Sequence, residues 1–204
     1  MNGLYAITPD EANTDLLLIK VSAVLQGGAK ILQYRNKTAN HKLKIQQVRE
    51  LLPLCRQYNV PIIINDSIKL CLALDADGVH LGADDGNLSE VRSILGNDKI
   101  LGASCYNRFD LALQAQQAGV DYVAFGACFA STTKPNAPLL NLDLLTRAKT
   151  ELKLPVVAIG GITLANAQQV LTAGACSIAV INAIFSDKDI TSTSQQFSNL
   201  FNII

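Results

Sequence analysis

The stretch PIIIND, residues 61–66, decides the fold, because three consecutive isoleucines are followed directly by two polar residues. Successive side chains of a strand point to opposite faces, so an unbroken apolar run indicates burial on both faces. Such burial is typical of a strand in a parallel sheet covered by helices. Similar short runs recur along the chain: LYAIT from Leu4, AKILQYR from Ala29, GVHLG from Gly78, KILGASC from Lys99, YVAFGA from Tyr122, PVVAIGG from Pro155 and SIAVI from Ser177.

Segments with the apolar spacing of helices separate most of these runs, for example DLLLIKVSAVLQGG, HKLKIQQVRELLPLCRQYN and LDLLTRAKTELK. Eight strand runs in a chain of 204 residues predict an α/β fold, a single-domain (β/α)8 TIM barrel over residues 1–204. An open doubly wound sheet is the alternative, but no GxGxxG motif follows the first strand. We expect the segment after Asp187 to form a last helix with a frayed end.

Composition excludes several classes of protein. Hydrophobic residues make up 49% of the chain and charged residues 17%, which excludes a disordered protein. Seventeen basic side chains balance seventeen acidic ones without a basic run, so we expect no nucleic-acid partner. With no leader pattern and no apolar run of membrane-spanning length, we expect a soluble cytoplasmic protein without a membrane partner. Five scattered cysteines without a CxxC pair favour reduced, buried thiols over disulfides or a zinc site.

The predicted strands after the first end in polar residues, glycines or loops that carry them. The active site of a TIM barrel lies at the C-terminal ends of its strands, so these residues should surround one mouth. Each has a structural alternative, such as a turn, a helix cap or solvated edge charges, but their convergence favours function. In chain order they are Gln33, Arg35 and Lys37; Asn65 and Asp66; Asp84 and Asp85; Ser104; STTK with Lys134; Gly160 and Gly161; Ile181 and Asn182.

The residue types at this mouth indicate phosphate chemistry. Gln33, Arg35 and Lys37 alternate, so in an extended chain they would project together as one basic cluster. Acidic residues on neighbouring strand ends suit Mg²⁺, which prefers oxygen ligands and shares its shell with substrate phosphates. The IGGI stretch is typical of barrel phosphate sites, where glycines let backbone N–H groups approach oxyanions. The pattern predicts two anion sites, one with Mg²⁺ and one without.

Motifs along nearly the whole chain resemble those of the thiamine phosphate synthase family. They occur in the order QYRNK, IIND, DGVHLGADD, LGASCY, FGACFASTTKPNA and PVVAIGGI, with NA shortly after. The resemblance implies a (β/α)8 barrel and a transferase of small-molecule substrates. Its expected reaction joins hydroxymethylpyrimidine diphosphate to thiazole phosphate, giving thiamine phosphate and diphosphate, with Mg²⁺ as cofactor. Whether the chain forms a homo-oligomer stays open.

The resemblance also implies roles for single residues. Contacts to the pyrimidine diphosphate are implied for Gln33, Arg35, Lys37, Asn65, Ser104 and Lys134, of which Arg35, Lys37, Ser104 and Lys134 are the expected catalytic residues. Asp66 and Asp85 are implied as Mg²⁺ ligands. Ser131, Thr132 and Thr133 match the stretch that meets the thiazole phosphate, and Gly161, Ile181 and Asn182 match the cradle of its phosphate group.

Four positions depart from the family pattern. Ser67 replaces a common Arg, Ala83 a common Gln, Ser131 a common Thr and Asn182 a common Ser.

Two alternative functions compete with the synthase. A thiazole tautomerase-like protein need not keep the diphosphate-binding residues, and a non-catalytic phosphometabolite-binding barrel would bind its ligand without turnover. The presence of Lys37, Asp66, Asp85 and Lys134 favours the synthase. His80, between Val79 and Leu81 in a predicted strand, is interpreted as structural.

Overall fold

The computed structural model describes residues 2–83, 85–131 and 138–202. Eight parallel strands close into one barrel in chain order, with β8 paired to β1. The prediction of a (β/α)8 TIM barrel is confirmed. The strands are β1 (Gly3–Ile7), β2 (Ile31–Tyr34), β3 (Ile62–Asn65), β4 (Gly78–Leu81), β5 (Ile100–Tyr106), β6 (Tyr122–Phe125), β7 (Val156–Ile159) and β8 (Ser177–Val180).

Helices follow the strands and cover the outside of the barrel. They are α1 (Thr14–Gln26), α2 (His41–Gln57), α3 (Ile68–Leu74), α4 (Leu88–Leu95), α5 (Phe109–Gln117), α6 (Asp143–Glu151), α7 (Ala167–Thr172), α8 (Asn182–Phe185) and α9 (Ile190–Asn199). A 3₁₀ turn at Leu200–Asn202 follows α9, which is the predicted last helix. Within the described ranges, no helix has both the length and the apolar character needed to cross a membrane.

Both faces of the strands are buried, as the PIIIND stretch predicts. Ile63 packs inside the barrel with Tyr5 and Tyr122. Its neighbours Ile62 and Ile64 belong to the larger core between the strands and the helices. All three isoleucines are nearly inaccessible to solvent. An apolar run without alternation therefore follows from a strand that has a core on each side.

Polar side chains fix where several helices begin. Asn13 accepts a hydrogen bond from the N–H of Leu16 at 3.0 Å and begins α1. Asn40 accepts one from Leu43 at 2.9 Å and begins α2. Each side chain satisfies an amide that has no partner within the helix. These caps set the lengths of the loops that carry the ends of β1 and β2.

The five cysteines are free thiols, as predicted. Cys55, Cys71, Cys105 and Cys128 are buried, whereas Cys176 is partly accessible. Burial raises the pKa of the Cys55, Cys105 and Cys128 thiols to about 12 and that of Cys71 to about 11. The thiols therefore behave as small apolar core groups.

Candidate active site

A cavity of about 670 Å³ opens at the C-terminal ends of the strands. Every predicted site residue that the structure describes lines it: Gln33, Arg35, Lys37, Asn65, Asp66, Asp85, Ser104, Ser131, Gly160, Gly161, Ile181 and Asn182. Asp84, Thr132, Thr133 and Lys134 lie outside the described residues. The barrel thus brings side chains from distant parts of the sequence to one mouth.

The basic cluster reaches past the end of its strand. β2 ends at Tyr34, but Gln33, Arg35 and Lys37 all line the cavity. Gln33 is buried, and its side-chain amide donates to the Tyr5 hydroxyl at 2.8 Å. Lys37 is half exposed at the rim, with its Nζ atom 3.8 Å from Asp66. The cluster therefore extends from Gln33, a buried hydrogen-bonding group inside the barrel, to Lys37, an exposed cation at its rim.

The loop after β1 holds the backbone and one side chain of this cluster. The Thr8 hydroxyl donates to the Arg35 carbonyl and accepts from the Arg35 N–H, each at 2.8 Å. The Asp10 carboxylate accepts from the Arg35 guanidinium at 3.1 Å and from the Lys37 N–H at 2.6 Å. Thr8 and Asp10 are not among the site residues predicted from the sequence. The same strand-end rule applied to LYAIT and the following PD would have selected them.

Asp66 and Asp85 form an acid pair at the ends of β3 and β4. Burial and then the Asp85 charge raise the pKa of Asp66, while Lys37 partly offsets them. The two carboxyl groups lie close enough to influence each other electrostatically. Asp66 has a left-handed backbone with φ of 60°, which aspartate tolerates better than most residues. Asp85 is oriented by the Gly82 N–H, which donates to its Oδ2 atom at 2.7 Å.

A chain of hydrogen bonds crosses the barrel interior. Gln33 contacts Tyr5 at 2.8 Å, and the Tyr5 and Tyr122 hydroxyls are 2.7 Å apart. His80 Nδ1 is 2.9 Å from the Tyr122 hydroxyl, and His80 Nε2 is 2.8 Å from the Ser104 hydroxyl. His80 is buried, as its structural interpretation requires, but it also lines the cavity. The two tyrosines are not among the predicted site residues, because their strands look uniformly apolar in the sequence.

The opposite wall is built from glycines after β7. Gly160 and Gly161 have positive φ angles of 100° and 63°. A Cβ atom on Gly161 would lie 2.4 Å from the Ala130 carbonyl oxygen, closer than nonbonded atoms can approach. The Phe129 N–H donates to the Gly160 carbonyl at 2.9 Å and joins the two loops. Glycine is therefore required here both for the backbone angle and for the close packing of the loops.

The positions that depart from the family pattern differ in their surroundings. Ser67 accepts a hydrogen bond from the Leu70 N–H at 3.3 Å and begins α3. Ser131 and Asn182 line the cavity, and Asn182 is the first residue of α8. Ala83 lies in the turn before α4 and is exposed. Ser67 thus has a helix-capping role, while Ser131 and Asn182 belong to the cavity wall.

Comparisons with known proteins add evidence from the whole chain. Residues 4–184 match the protein family described as thiamine monophosphate synthase. The chain is 54% identical over 202 residues to a thiamine-phosphate synthase of Methylobacillus flagellatus. This match covers 99% of this chain and 96% of the relative. It is 48% identical over 201 residues to one of Nitrosospira multiformis, covering 98% of this chain and 86% of the relative.

A solved structure is similar as well. The thiamine phosphate pyrophosphorylase from Pyrococcus furiosus superposes with a TM-score of 0.89 at 32% sequence identity. The superposition covers 98% of this chain and 96% of that chain. The likeness therefore extends over the barrel and includes the strand ends that form the mouth.

Proposed function

The chain belongs to the thiamine monophosphate synthase family, and we propose that its barrel mouth joins hydroxymethylpyrimidine diphosphate to thiazole phosphate. The products are thiamine phosphate and diphosphate. The observation that carries the proposal is one cavity lined by Arg35, Lys37 and the acid pair, Asp66 and Asp85, with Lys37 Nζ 3.8 Å from Asp66. Cations beside a carboxylate pair suit a diphosphate that arrives with a divalent metal ion.

The acid pair fits Mg²⁺ by its chemistry. Burial and then the Asp85 charge raise the pKa of Asp66, and a bound divalent cation would relieve the repulsion between the two carboxylates. Their oxygens are the ligands that Mg²⁺ prefers, and a diphosphate would complete the shell. We propose that Asp66 and Asp85 hold the ion. When bound, Mg²⁺ supplies positive charge next to the diphosphate oxygens.

The residues of the mouth stabilise the departure of diphosphate. The bond between the pyrimidine methylene carbon and the diphosphate oxygen breaks, and its electron pair leaves with the oxygen. Arg35 and Lys37 are placed to offset the charge that develops there, with Lys134 as a further catalytic residue. Asn65, Gln33 and Ser104 hold the pyrimidine diphosphate in position, which reduces the entropic part of the barrier.

The thiazole nitrogen then attacks the electron-deficient methylene carbon with its own lone pair. No protein base is needed, because that nitrogen carries no proton to be removed. Ser131, Thr132 and Thr133 meet the thiazole phosphate. Its phosphate group lies against Gly161, Ile181 and Asn182, where glycine backbone lets N–H groups approach the oxygens.

Incubation of the purified protein with both substrates tests the proposal. We expect thiamine phosphate and diphosphate in equal amounts, with turnover that requires Mg²⁺ and stops when the ion is chelated. Parallel calorimetry with the pyrimidine diphosphate and Mg²⁺ measures binding independently of turnover. Binding without product would contradict the synthase and favour a barrel that only binds phosphorylated metabolites.

A further inference from the structure

We propose that the hydrogen-bonded chain from Gln33 to Ser104 is a directional relay that fixes the Ser104 hydroxyl as a hydrogen-bond donor to the substrate. The interior relay consists of Gln33, Tyr5, Tyr122, His80 and Ser104. Its inner members, Tyr5, Tyr122 and His80, are positioning residues, since they act through the two ends. The inference rests on the proposed function for the identity of the substrate, the pyrimidine diphosphate.

The direction begins at Gln33, whose Nε2 atom can only donate. This atom donates to the Tyr5 hydroxyl at 2.8 Å, so the Tyr5 oxygen is an acceptor there. Burial raises the pKa of both Tyr5 and Tyr122 far above the neutral range, so each phenol keeps its proton. Tyr5 therefore directs its one proton to the Tyr122 oxygen, 2.7 Å away.

The direction of the hydrogen bonds continues through His80. Tyr122 accepts from Tyr5, so its own proton is available to His80 Nδ1 at 2.9 Å. Nδ1 of a neutral imidazole is an acceptor only when Nε2 carries the proton. The Nε2–H group then donates to the Ser104 hydroxyl oxygen at 2.8 Å. Each bond in the relay thus fixes the direction of the next.

The two ends of the relay offer different hydrogen-bonding groups to a ligand. The Ser104 oxygen accepts from His80, so its hydroxyl proton is free to be donated to another group. Gln33 uses one of its two amide N–H groups inside the relay, which leaves the second N–H and the Oε1 acceptor at the other end. Both residues line the cavity. A ligand that offers an acceptor to Ser104 is therefore favoured over one that offers a donor.

Close packing holds the relay in place. Tyr122 and Tyr5 meet edge to face with their ring centroids 5.9 Å apart, and His80 stacks on Tyr122 at 5.5 Å. A Cβ atom on Gly102 would lie 2.1 Å from Cζ of Tyr122, so only glycine leaves room for this ring. Tyr5 and Tyr122 are almost inaccessible to solvent. Water is thus excluded as a competing partner of the two phenols.

The first test reads the tautomer of His80 by ¹⁵N NMR of histidine-labelled protein. The chain has two histidines, and the exposed His41 serves as an internal reference. We expect His80 to carry its proton on Nε2, with an unprotonated Nδ1, and Tyr122→Phe to populate both tautomers. A proton on Nδ1 in the wild-type protein would overturn the proposal, because the relay would then run in the opposite direction.

The second test asks whether Tyr122 acts through Ser104. We expect Tyr122→Phe to lower kcat/KM for the pyrimidine diphosphate about five- to ten-fold, the effect of one neutral hydrogen bond. In a Ser104→Ala background the same change should cost less than about two-fold, because the end of the relay is already gone. Equal losses in both backgrounds would overturn the proposal. Tyr5→Phe is the second variant if Tyr122→Phe does not fold.

Tyr34→Phe is the matched control. Tyr34 is also buried and donates to the Gln47 side chain at 2.8 Å, but it does not line the cavity. We expect it to lower Tm as Tyr122→Phe does while kcat/KM stays within two-fold. A similar kinetic loss in Tyr34→Phe would overturn the relay and show that general destabilisation causes the effect.

The two proposals can fail separately. Absence of thiamine phosphate from the wild-type reaction would reject the proposed function, whereas the tautomer test would still decide the direction of the relay.

Discussion

Asp10 shows how one residue outside the predicted set can position residues inside it. Its Oδ1 atom accepts from both the Arg35 guanidinium and the Lys37 N–H. The ion pair is partly exposed and is therefore worth at most about 1 kcal/mol. We expect Asp10→Ala to raise the KM for the pyrimidine diphosphate about five-fold. Asp10→Asn should raise it less, since the amide oxygen still accepts from Lys37, and steady-state kinetics with varied pyrimidine diphosphate measures both.

Glu11→Gln provides the control for this prediction. Glu11 is the next residue and forms an ion pair with Lys20 at 3.0 Å, but it does not line the cavity. Its loss should leave the KM for the pyrimidine diphosphate within two-fold of the wild-type value. An equal rise in Glu11→Gln would mean that loop stability, rather than contact with Arg35, sets the KM.

The acid pair gives a second prediction for single residues. Asp85 interacts electrostatically with Asp66, and its Oδ2 atom accepts from the Gly82 N–H at 2.7 Å, a hydrogen bond that an asparagine oxygen can also accept. We therefore expect Asp85→Asn to fold normally but to lose at least about a hundred-fold of the Mg²⁺-dependent turnover. Calorimetry with Mg²⁺ and the pyrimidine diphosphate should show weaker metal binding.

The neighbouring carboxylate distinguishes this assignment from a general effect of charge. Asp84→Asn removes the same charge one position earlier, and we expect it to cost less than about ten-fold, or 1.4 kcal/mol. Equal losses in Asp84→Asn and Asp85→Asn would show that the Mg²⁺ ligand is assigned to the wrong residue.

At the scale of elements, the loop after β7 depends on its second glycine. Gly161 has a φ of 63° and packs against the Ala130 carbonyl, which a Cβ atom would approach to 2.4 Å. Gly161→Ala should cost about 2–4 kcal/mol of unfolding free energy, from backbone strain plus overpacking. The displaced loop should also raise the KM for thiazole phosphate at least ten-fold. Denaturant unfolding and steady-state kinetics measure the two effects separately.

Gly96→Ala separates strain from packing in this prediction. Gly96 also has a positive φ, 72°, but a Cβ atom there would meet nothing within 4 Å. Its φ of 72° with ψ of −167° is a conformation nearly restricted to glycine, so Gly96→Ala should cost about 1–3 kcal/mol from backbone strain, without a change in either KM. If Gly161→Ala behaved like Gly96→Ala, close packing of the loops would not shape the phosphate site.

The sequence predicts the elements better than it predicts the contacts between them. Isoleucines 62–64 require a core on each side, and this local signal is enough to place β3 in a parallel sheet. Asn65 and Asp66 can be predicted as site residues from the same stretch, because they directly follow the isoleucine run in the sequence. The bond between Asp10 and Arg35, by contrast, joins two loops 25 positions apart. Such a contact depends on the closed barrel and has no periodic signature in the sequence.

The whole molecule is a barrel with a core on each side of one closed sheet. The interior tyrosines illustrate why part of the site is not visible in the sequence. Tyr5 and Tyr122 occupy strand positions that look like ordinary core in the sequence. Their hydroxyls nevertheless form a hydrogen bond between residues 117 positions apart in the chain.

Closure of β8 onto β1 leaves no open edge, so the strands should open together rather than singly. The cysteines, which lie in different elements, can report such opening.

Thiol reactivity provides a prediction for this cooperative opening. At pH 8, a thiol with a pKa of about 12 is thiolate in about one molecule in ten thousand, so Cys55, Cys105 and Cys128 should react with dithionitrobenzoate only after opening. Cys71, with a pKa of about 11, is also buried and should react in the same phase. The partly accessible Cys176 should react first.

The absorbance of the released thionitrobenzoate measures the two phases. Cys176→Ser should remove the fast phase alone, and guanidinium should make all five thiols of the wild-type protein react quickly. Because burial raises these folded-state pKa values, the free energy of unfolding should also fall as pH rises above the ordinary thiol pKa of 9.0. Separate slow phases for the buried thiols would contradict opening as one unit, since Cys55 lies in α2 and Cys105 in β5.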